Sequence, residues 1–155
     1  MTQAISPPQS ISKDIYDRDL HLWLETAIAQ LKAGDLENLD VENLIEELEG
    51  LAGRDRKELD SRLITLLEHI LKRCYVNLPD CFKGWQNTIL TQRDELSLLL
   101  EQSPSLRRYF SDRFDRSFQA ALRRVDDGYP SCQFPKAWQF ERDVDVLLSV
   151  NFWEL

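Results

Sequence analysis

The densest group of chemistry-bearing side chains in this sequence is acidic and lies between residues 35 and 60. Glu42, Glu46 and Glu49 follow an i, i+4, i+7 spacing, which places all three on one face of a helix. Glutamates arranged in this way can bind Mg²⁺ or Mn²⁺, and di-iron bundles combine them with a Glu-x-x-His motif, which does not occur here. The cluster indicates either a metal-dependent hydrolase or, more simply, a solvent-exposed helix face whose acids the helix dipole stabilises.

A second candidate site is formed by Arg62 and His69, which are seven residues apart. On a helix this separation is two turns, so both side chains point to the same side, about 10.5 Å apart along the axis. The arrangement resembles the signature of HEPN-type ribonucleases, in which a histidine handles a proton and an arginine steadies a phosphate across a dimer. The alternative is structural: Arg62 pairs with Glu58, and His69 lies at the edge of the core.

Acids at the start of the first predicted helix are candidates for protein contact. The predicted interaction surface combines them with acids of the second helix and one aromatic side chain: Asp17, Asp19, Trp23, Glu46 and Glu47. The alternative interpretation assigns the aspartates to helix capping and the tryptophan to the core.

Basic and aromatic side chains in the second half of the chain offer further contact surfaces. The fifth predicted helix carries six arginines and four aspartates. It either docks an acidic partner, such as the acidic helix of a second copy, or is an exposed face stabilised by ion pairs one turn apart. Trp138 and Trp153 either lock the C-terminal segment over the bundle or contribute to a dimer interface, where aromatic residues are enriched.

Composition excludes several classes of function. The net charge is -8, so neither nucleic acid nor an anionic membrane surface is an expected partner. The three cysteines fit a reducing compartment better than a disulfide framework. No signal peptide, membrane span or cofactor-binding motif is found, so a cytoplasmic protein without a cofactor is expected.

Apolar residues recur with helical spacing along most of the chain, and no run alternates with a period of two. The sequence therefore predicts an all-α fold, an irregular bundle of five to six helices without a sheet. A flexible lead-in over residues 1–13 should precede a single helical domain over residues 14–155. The helices are expected at about 14–33, from a cap at Asp40 to Gly50, and at 54–77, 82–101, 104–127 and 137–148.

Glycines and apolar stripes refine this prediction. Gly34 should end the first helix, and Gly50 and Gly53 should break or kink the chain, because each weakens a helix by about 1 kcal/mol relative to alanine. Three apolar stripes are predicted to be buried, and the stripe of the third helix comprises Leu59, Leu63, Leu66, Leu67, Ile70, Leu71 and Cys74. The stripe of the first helix comprises Tyr16, Leu20, Trp23, Leu24, Ala27, Ile28 and Leu31, and the stripe of the second comprises Val41, Leu44, Ile45 and Leu48.

Several of these segments together resemble a bacterial family known as "domain of unknown function 29", which is abundant in cyanobacteria. The resemblance is carried in order by residues 16–23, 39–53 and 69–72, by Trp85, Ile89 and Arg93, and by residues 103–106 and 134–135. It implies an all-helical fold and no catalytic residues. The family often has Cys-Pro-Tyr after the late Phe-Pro, whereas Lys136-Ala-Trp138 follows here.

With no catalytic motif and with unlike charges on different helices, the sequence favours a non-catalytic protein-interaction or regulatory module. Its partner would be another protein or a second copy of the chain. The alternative is an enzyme, either the metal-dependent hydrolase or the ribonuclease described above.

Overall fold

The computed structural model describes residues 9–155, with side chains described from Asp14 onward. Residues 1–8 of the predicted lead-in (residues 1–13) lie outside the described residues. Residues 9–13 belong to the first helix, which begins at Gln9. The described residues form helices and loops and contain no strand, which confirms the all-α prediction. The elements are α1 (Gln9–Arg18), α2 (Leu20–Lys32), α3 (Val41–Tyr75), α4 (Pro79–Gln102), α5 (Leu106–Gly128), α6 (Val144–Ser149) and a 3₁₀ turn (Phe152–Glu154).

The segment predicted as one helix over 14–33 is two helices, because Asp19 begins a new one. Its backbone leaves the helical region, with φ -146° and ψ 84°, and its carboxylate accepts a hydrogen bond of 3.0 Å from the Leu22 amide. An aspartate that caps a free amide in this way competes with helix continuation. The predicted end of α2 is confirmed, since Gly34 has a φ of 70°, the left-handed conformation that favours glycine.

The predicted break at Gly50 and Gly53 is wrong, because α3 runs through both positions without interruption. Asp40 begins this helix as expected, since its carboxylate accepts a hydrogen bond from the Asn43 amide at 3.3 Å. Two glycines cost about 2 kcal/mol together. An interruption would leave several backbone groups without helical partners, which costs more.

The remaining helices differ from the prediction mainly at their ends. Pro79 is the first residue of α4, where its missing amide hydrogen has no cost. The helix expected over 137–148 is shorter, since α6 spans only Val144–Ser149. It begins after Asp143, whose carboxylate caps it by accepting hydrogen bonds from the amides of Asp145 and Val146 at 2.9 and 3.3 Å.

The chain folds into two compact units, Met1–Gly53 and Arg54–Leu155, which we call the N-terminal and the C-terminal unit. The boundary falls inside α3, next to the two glycines. The described part of the N-terminal unit consists of α1, α2 and the first turns of α3. That residues 14–155 form a single domain stays a prediction.

The C-terminal unit has an extensive apolar core. Buried side chains from α3, α4, α5, α6 and the 3₁₀ turn form one continuous cluster. Its α3 members are six of the seven residues that the helical periodicity predicts: Leu59, Leu63, Leu66, Leu67, Ile70 and Leu71. The seventh, Cys74, is half-buried and packs against the cluster.

Aromatic side chains fix the C-terminal segment (residues 144–155, which include α6 and the 3₁₀ turn) within this unit. The Trp138 ring packs edge-to-face against Phe114, Phe140 and Phe152, with ring centroids 5.4 to 5.6 Å apart. Phe152 is also buried in the core cluster. Through these contacts Trp138 joins the 3₁₀ turn to α5.

Candidate docking surface

The N-terminal unit buries few side chains. Only Trp23 and Ala27 are buried among its described residues, and the Trp23 ring packs edge-to-face on Tyr16 at 5.0 Å. The Tyr16 hydroxyl donates a hydrogen bond of 2.7 Å to Glu47 Oε1, which connects α1 to α3. This hydrogen bond and the surrounding carboxylates raise the pKa of Tyr16 to about 12.

Exposed aliphatic side chains are concentrated in the same unit. Thirteen large hydrophobic side chains are exposed among the described residues, and nine of them lie between Leu20 and Leu51. The C-terminal unit, although longer, has only four: Leu78, Leu90, Leu98 and Leu155. Single exposed leucines are normal on a protein surface, but such a concentration on a small unit is typical of a contact site.

Four of these side chains form a continuous stripe on α3, which we call the α3 stripe: Val41, Ile45, Leu48 and Leu51. Their exposed fractions are 50%, 49%, 56% and 55%. At 3.6 residues per turn they span about 120° of the helix circumference. The prediction that Val41, Ile45 and Leu48 are buried is therefore wrong, because helical spacing shows which residues share a face but not whether another element covers that face.

Exposed aliphatic residues also follow α2. Leu20, Ile28 and Leu31 are 44%, 50% and 45% exposed. They were expected to be buried with Trp23, but burial on α2 is confined to Trp23 and Ala27. Within the N-terminal unit, α2 and α3 thus both expose side chains that the sequence assigns to a core.

The candidate metal ligands Glu42, Glu46 and Glu49 lie beside the α3 stripe. All three are exposed, and they occupy about 60° of the α3 circumference next to the stripe. Within residues 14–155 none of them forms an ion pair. The described part of the chain also holds no group of three side chains placed to bind one metal ion. The glutamates thus form an acidic border along one side of the stripe.

The predicted interaction residues are not all at the surface. Asp17, Asp19 and Glu46 are exposed, and Asp19 caps α2. Glu47 is half-buried and accepts the hydrogen bond from Tyr16, while Trp23 is only 2% exposed. Trp23 therefore stabilises the unit from inside, and the aliphatic residues of the α3 stripe, which the sequence alone did not identify, provide the exposed surface.

Arg62 and His69, the candidate ribonuclease pair, both have partners within the C-terminal unit. The Arg62 guanidinium lies 2.9 Å from the Glu58 carboxylate and 3.5 Å from that of Glu95. These carboxylates compete with a phosphate for the arginine. His69 Nδ1 lies 2.8 Å from the Thr65 carbonyl oxygen, and burial lowers its pKa.

The arginine-rich helix α5 makes ion pairs within the C-terminal unit. Arg113 makes a two-pronged contact with Asp60 at 2.8 and 3.2 Å, and Arg124 lies 3.4 Å from Glu68. Arg107 pairs with Asp145 at 2.9 Å. Half of the six arginines therefore neutralise acids of their own unit, which leaves a weaker basic surface than the sequence indicates.

The family model described as "Domain of unknown function DUF29" matches residues 15–153. The chain belongs to this family. The resemblance seen in the sequence is thereby confirmed, and the match includes nearly all described residues of both units of this DUF29 chain.

No curated protein and no solved structure matches the chain. No helix in the described part of the DUF29 chain is long and apolar enough to cross a membrane.

Proposed function

We propose that this DUF29 chain is a non-catalytic protein-interaction module whose N-terminal unit docks a protein partner. The observation that carries the proposal is the concentration of exposed aliphatic side chains between Leu20 and Leu51. Large exposed apolar patches on a folded protein mark sites of contact with other molecules.

The α3 stripe is large enough to contribute useful binding energy. Full burial of a valine, leucine or isoleucine side chain is worth about 1.5–3 kcal/mol. The four stripe residues are about half exposed, so each still has roughly 1 kcal/mol to gain when a partner covers it. The stripe therefore offers about 4 kcal/mol, which gives a stable complex only when other contacts, such as those of α2, offset the cost of association.

The matched test compares two double variants that differ only in location. Ile45→Ser with Leu48→Ser removes half of the α3 stripe, and Leu90→Ser with Leu98→Ser removes side chains of similar exposure, 59% and 50%, from the C-terminal unit. Tagged wild type and both variants are used for affinity purification from the native host. Each bound protein is identified by mass spectrometry, purified and titrated against the three forms.

The proposal predicts an identified partner whose purified complex weakens about tenfold or more with the stripe variant and is unchanged with the Leu90 and Leu98 variant. Circular dichroism of each variant confirms that the helices remain. Equal affinity of the partner for all three forms, or the absence of any specific partner, would refute the proposal.

A further inference from the structure

Net charge divides between the two units in the same way as exposed apolar surface. Residues 1–53 contain eleven acidic and three basic side chains, so their net charge is -8. Residues 54–155 contain sixteen of each and are neutral overall. The whole net charge of the chain is therefore carried by the unit that exposes the aliphatic residues.

We propose that the segment docked by the N-terminal unit is a basic amphipathic helix of a partner protein, an inference that rests on the proposed function. Its apolar face would cover the α3 stripe, and lysine or arginine residues beside that face would pair with Glu42, Glu46 and Glu49. Two independent observations support it, the exposed aliphatic residues and the net charge of -8 on the same unit.

The spacing of the α3 stripe favours a helical partner. Val41 and Leu48 are seven residues apart, a repeat typical of one helix packing along another. From Val41 to Leu51 the stripe is about 15 Å long. A partner helix of three turns, with apolar residues at i, i+3 or i+4, and i+7, matches this length.

The acidic border of the stripe favours a partner with positive charge. Glu42, Glu46 and Glu49 are exposed and form no ion pair within residues 14–155, so their charges are available to a partner. A second copy docked through the same unit would bring two net charges of -8 together. An anionic membrane would be repelled for the same reason.

The test uses the full chain and three fluorescent synthetic peptides. The first is a leucine–lysine peptide whose leucines follow helical amphipathic spacing. The second has glutamate in place of every lysine, and the third has the leucine–lysine composition in scrambled order. Fluorescence anisotropy at low and high salt gives the dissociation constants. We expect the first peptide to bind about tenfold or more tightly than either of the others.

Matched protein variants separate the apolar and the charged contribution. Ile45→Ser with Leu48→Ser should weaken binding about tenfold at both salt concentrations. Glu42→Gln with Glu46→Gln and Glu49→Gln should weaken it at low salt, with a difference that shrinks at high salt because exposed charges are screened.

The control variants make the corresponding changes, aliphatic to serine and carboxylate to amide, in the C-terminal unit. Leu90→Ser with Leu98→Ser controls for the apolar change, and Glu101→Gln with Asp126→Asn and Asp127→Asn controls for the charge. Both should bind the first peptide like the wild type. Equal binding of the scrambled or the glutamate peptide, or equal loss with the controls, would overturn the basic-helix proposal.

Two further measurements distinguish failure of this inference from failure of the proposed function. Sedimentation equilibrium of the chain alone should show a monomer. A dimer that Ile45→Ser with Leu48→Ser dissociates would identify a second copy as the occupant, overturning the basic helix but leaving a protein-interaction module. Stripe-dependent binding to phosphatidylglycerol vesicles would overturn both.

Discussion

Arg93 provides the sharpest test of how the C-terminal segment is held. Although charged, it is only 7% exposed. Its Nε donates a hydrogen bond of 3.0 Å to the Leu147 carbonyl oxygen, and its Nη2 donates to that of Val150. Carbonyls at the C-terminal end of α6 have no partner within the helix, so the guanidinium supplies donors that the backbone lacks.

Arg93→Met keeps most of the length of the side chain and removes its donors. Each hydrogen bond to a charged group contributes about 1.5–3 kcal/mol, and two carbonyls lose theirs. Removing the charge offsets part of this loss in stability, because burying a charged group is unfavourable. The pKa of Arg93, which burial lowers, reflects this cost. We therefore expect the free energy of unfolding to fall by about 2–4 kcal/mol and Tm by about 5–15 °C.

Urea unfolding followed by circular dichroism measures this difference, and Arg123→Met is the control, because Arg123 is exposed on α5. Hydrogen exchange should also become faster over residues 144–155 in the Arg93 variant, because the lost contacts are to that segment. A loss below about 0.5 kcal/mol, the size typical of surface substitutions, would show that the buried guanidinium does not hold the segment.

Two further predictions follow from pKa values in the C-terminal unit. Burial raises the pKa of the Cys74 thiol to about 11, so at pH 8 a thiol reagent should modify the exposed Cys81 well before Cys74. Mass spectrometry of the products gives the order of modification, and faster modification of Cys74 would contradict its burial. Burial lowers the pKa of His69 from 6.5, so its contribution to stability should be present above about pH 6.5 and be lost as the pH falls toward the folded-state pKa. Urea midpoints between pH 5 and 8 should show this loss in the wild type and a weaker one in His69→Gln, and identical pH profiles would refute the assignment.

Local signals in the sequence were sufficient for the helical class and for several helix ends. Asp40 begins α3 and Gly34 follows α2 because each acts on backbone groups within a few residues. The apolar period likewise identifies the buried face of α3 between Leu59 and Leu71.

Competition between local signals explains the helix ends that the sequence did not predict. The helical apolar spacing continues on both sides of Asp19, which predicts one helix. Only the cap geometry at Asp19 shows that one helix ends there and a second begins. Gly50 and Gly53 present the opposite case, in which an unfavourable local preference is overridden and α3 continues. Apolar periodicity is thus a correct guide to the continuous helix at Gly50 and Gly53 and misses the interruption at Asp19. Residue preference favours the interruption at Asp19 and wrongly favours a break at the two glycines.

The α3 stripe could not be predicted because its exposure depends on what lies beside it. Ile45 and Leu48 have the same spacing as the buried Leu63 and Leu66, and the sequence assigns both pairs to a core. One clue distinguishes them. Glu46 and Glu49 follow Ile45 and Leu48 directly, in the part of the chain that carries the net charge.

This combination of charge and exposed aliphatic residues has a physical rationale. Exposed apolar surface favours self-association, whereas a net charge far from zero keeps a protein soluble and monomeric through repulsion. On the N-terminal unit, the acids beside Ile45 and Leu48 oppose contact between copies of the stripe and attract a basic partner to it. Since neither side chain is buried, a substitution there can abolish docking while leaving Tm unchanged, a result that no substitution at the buried Leu63 should reproduce.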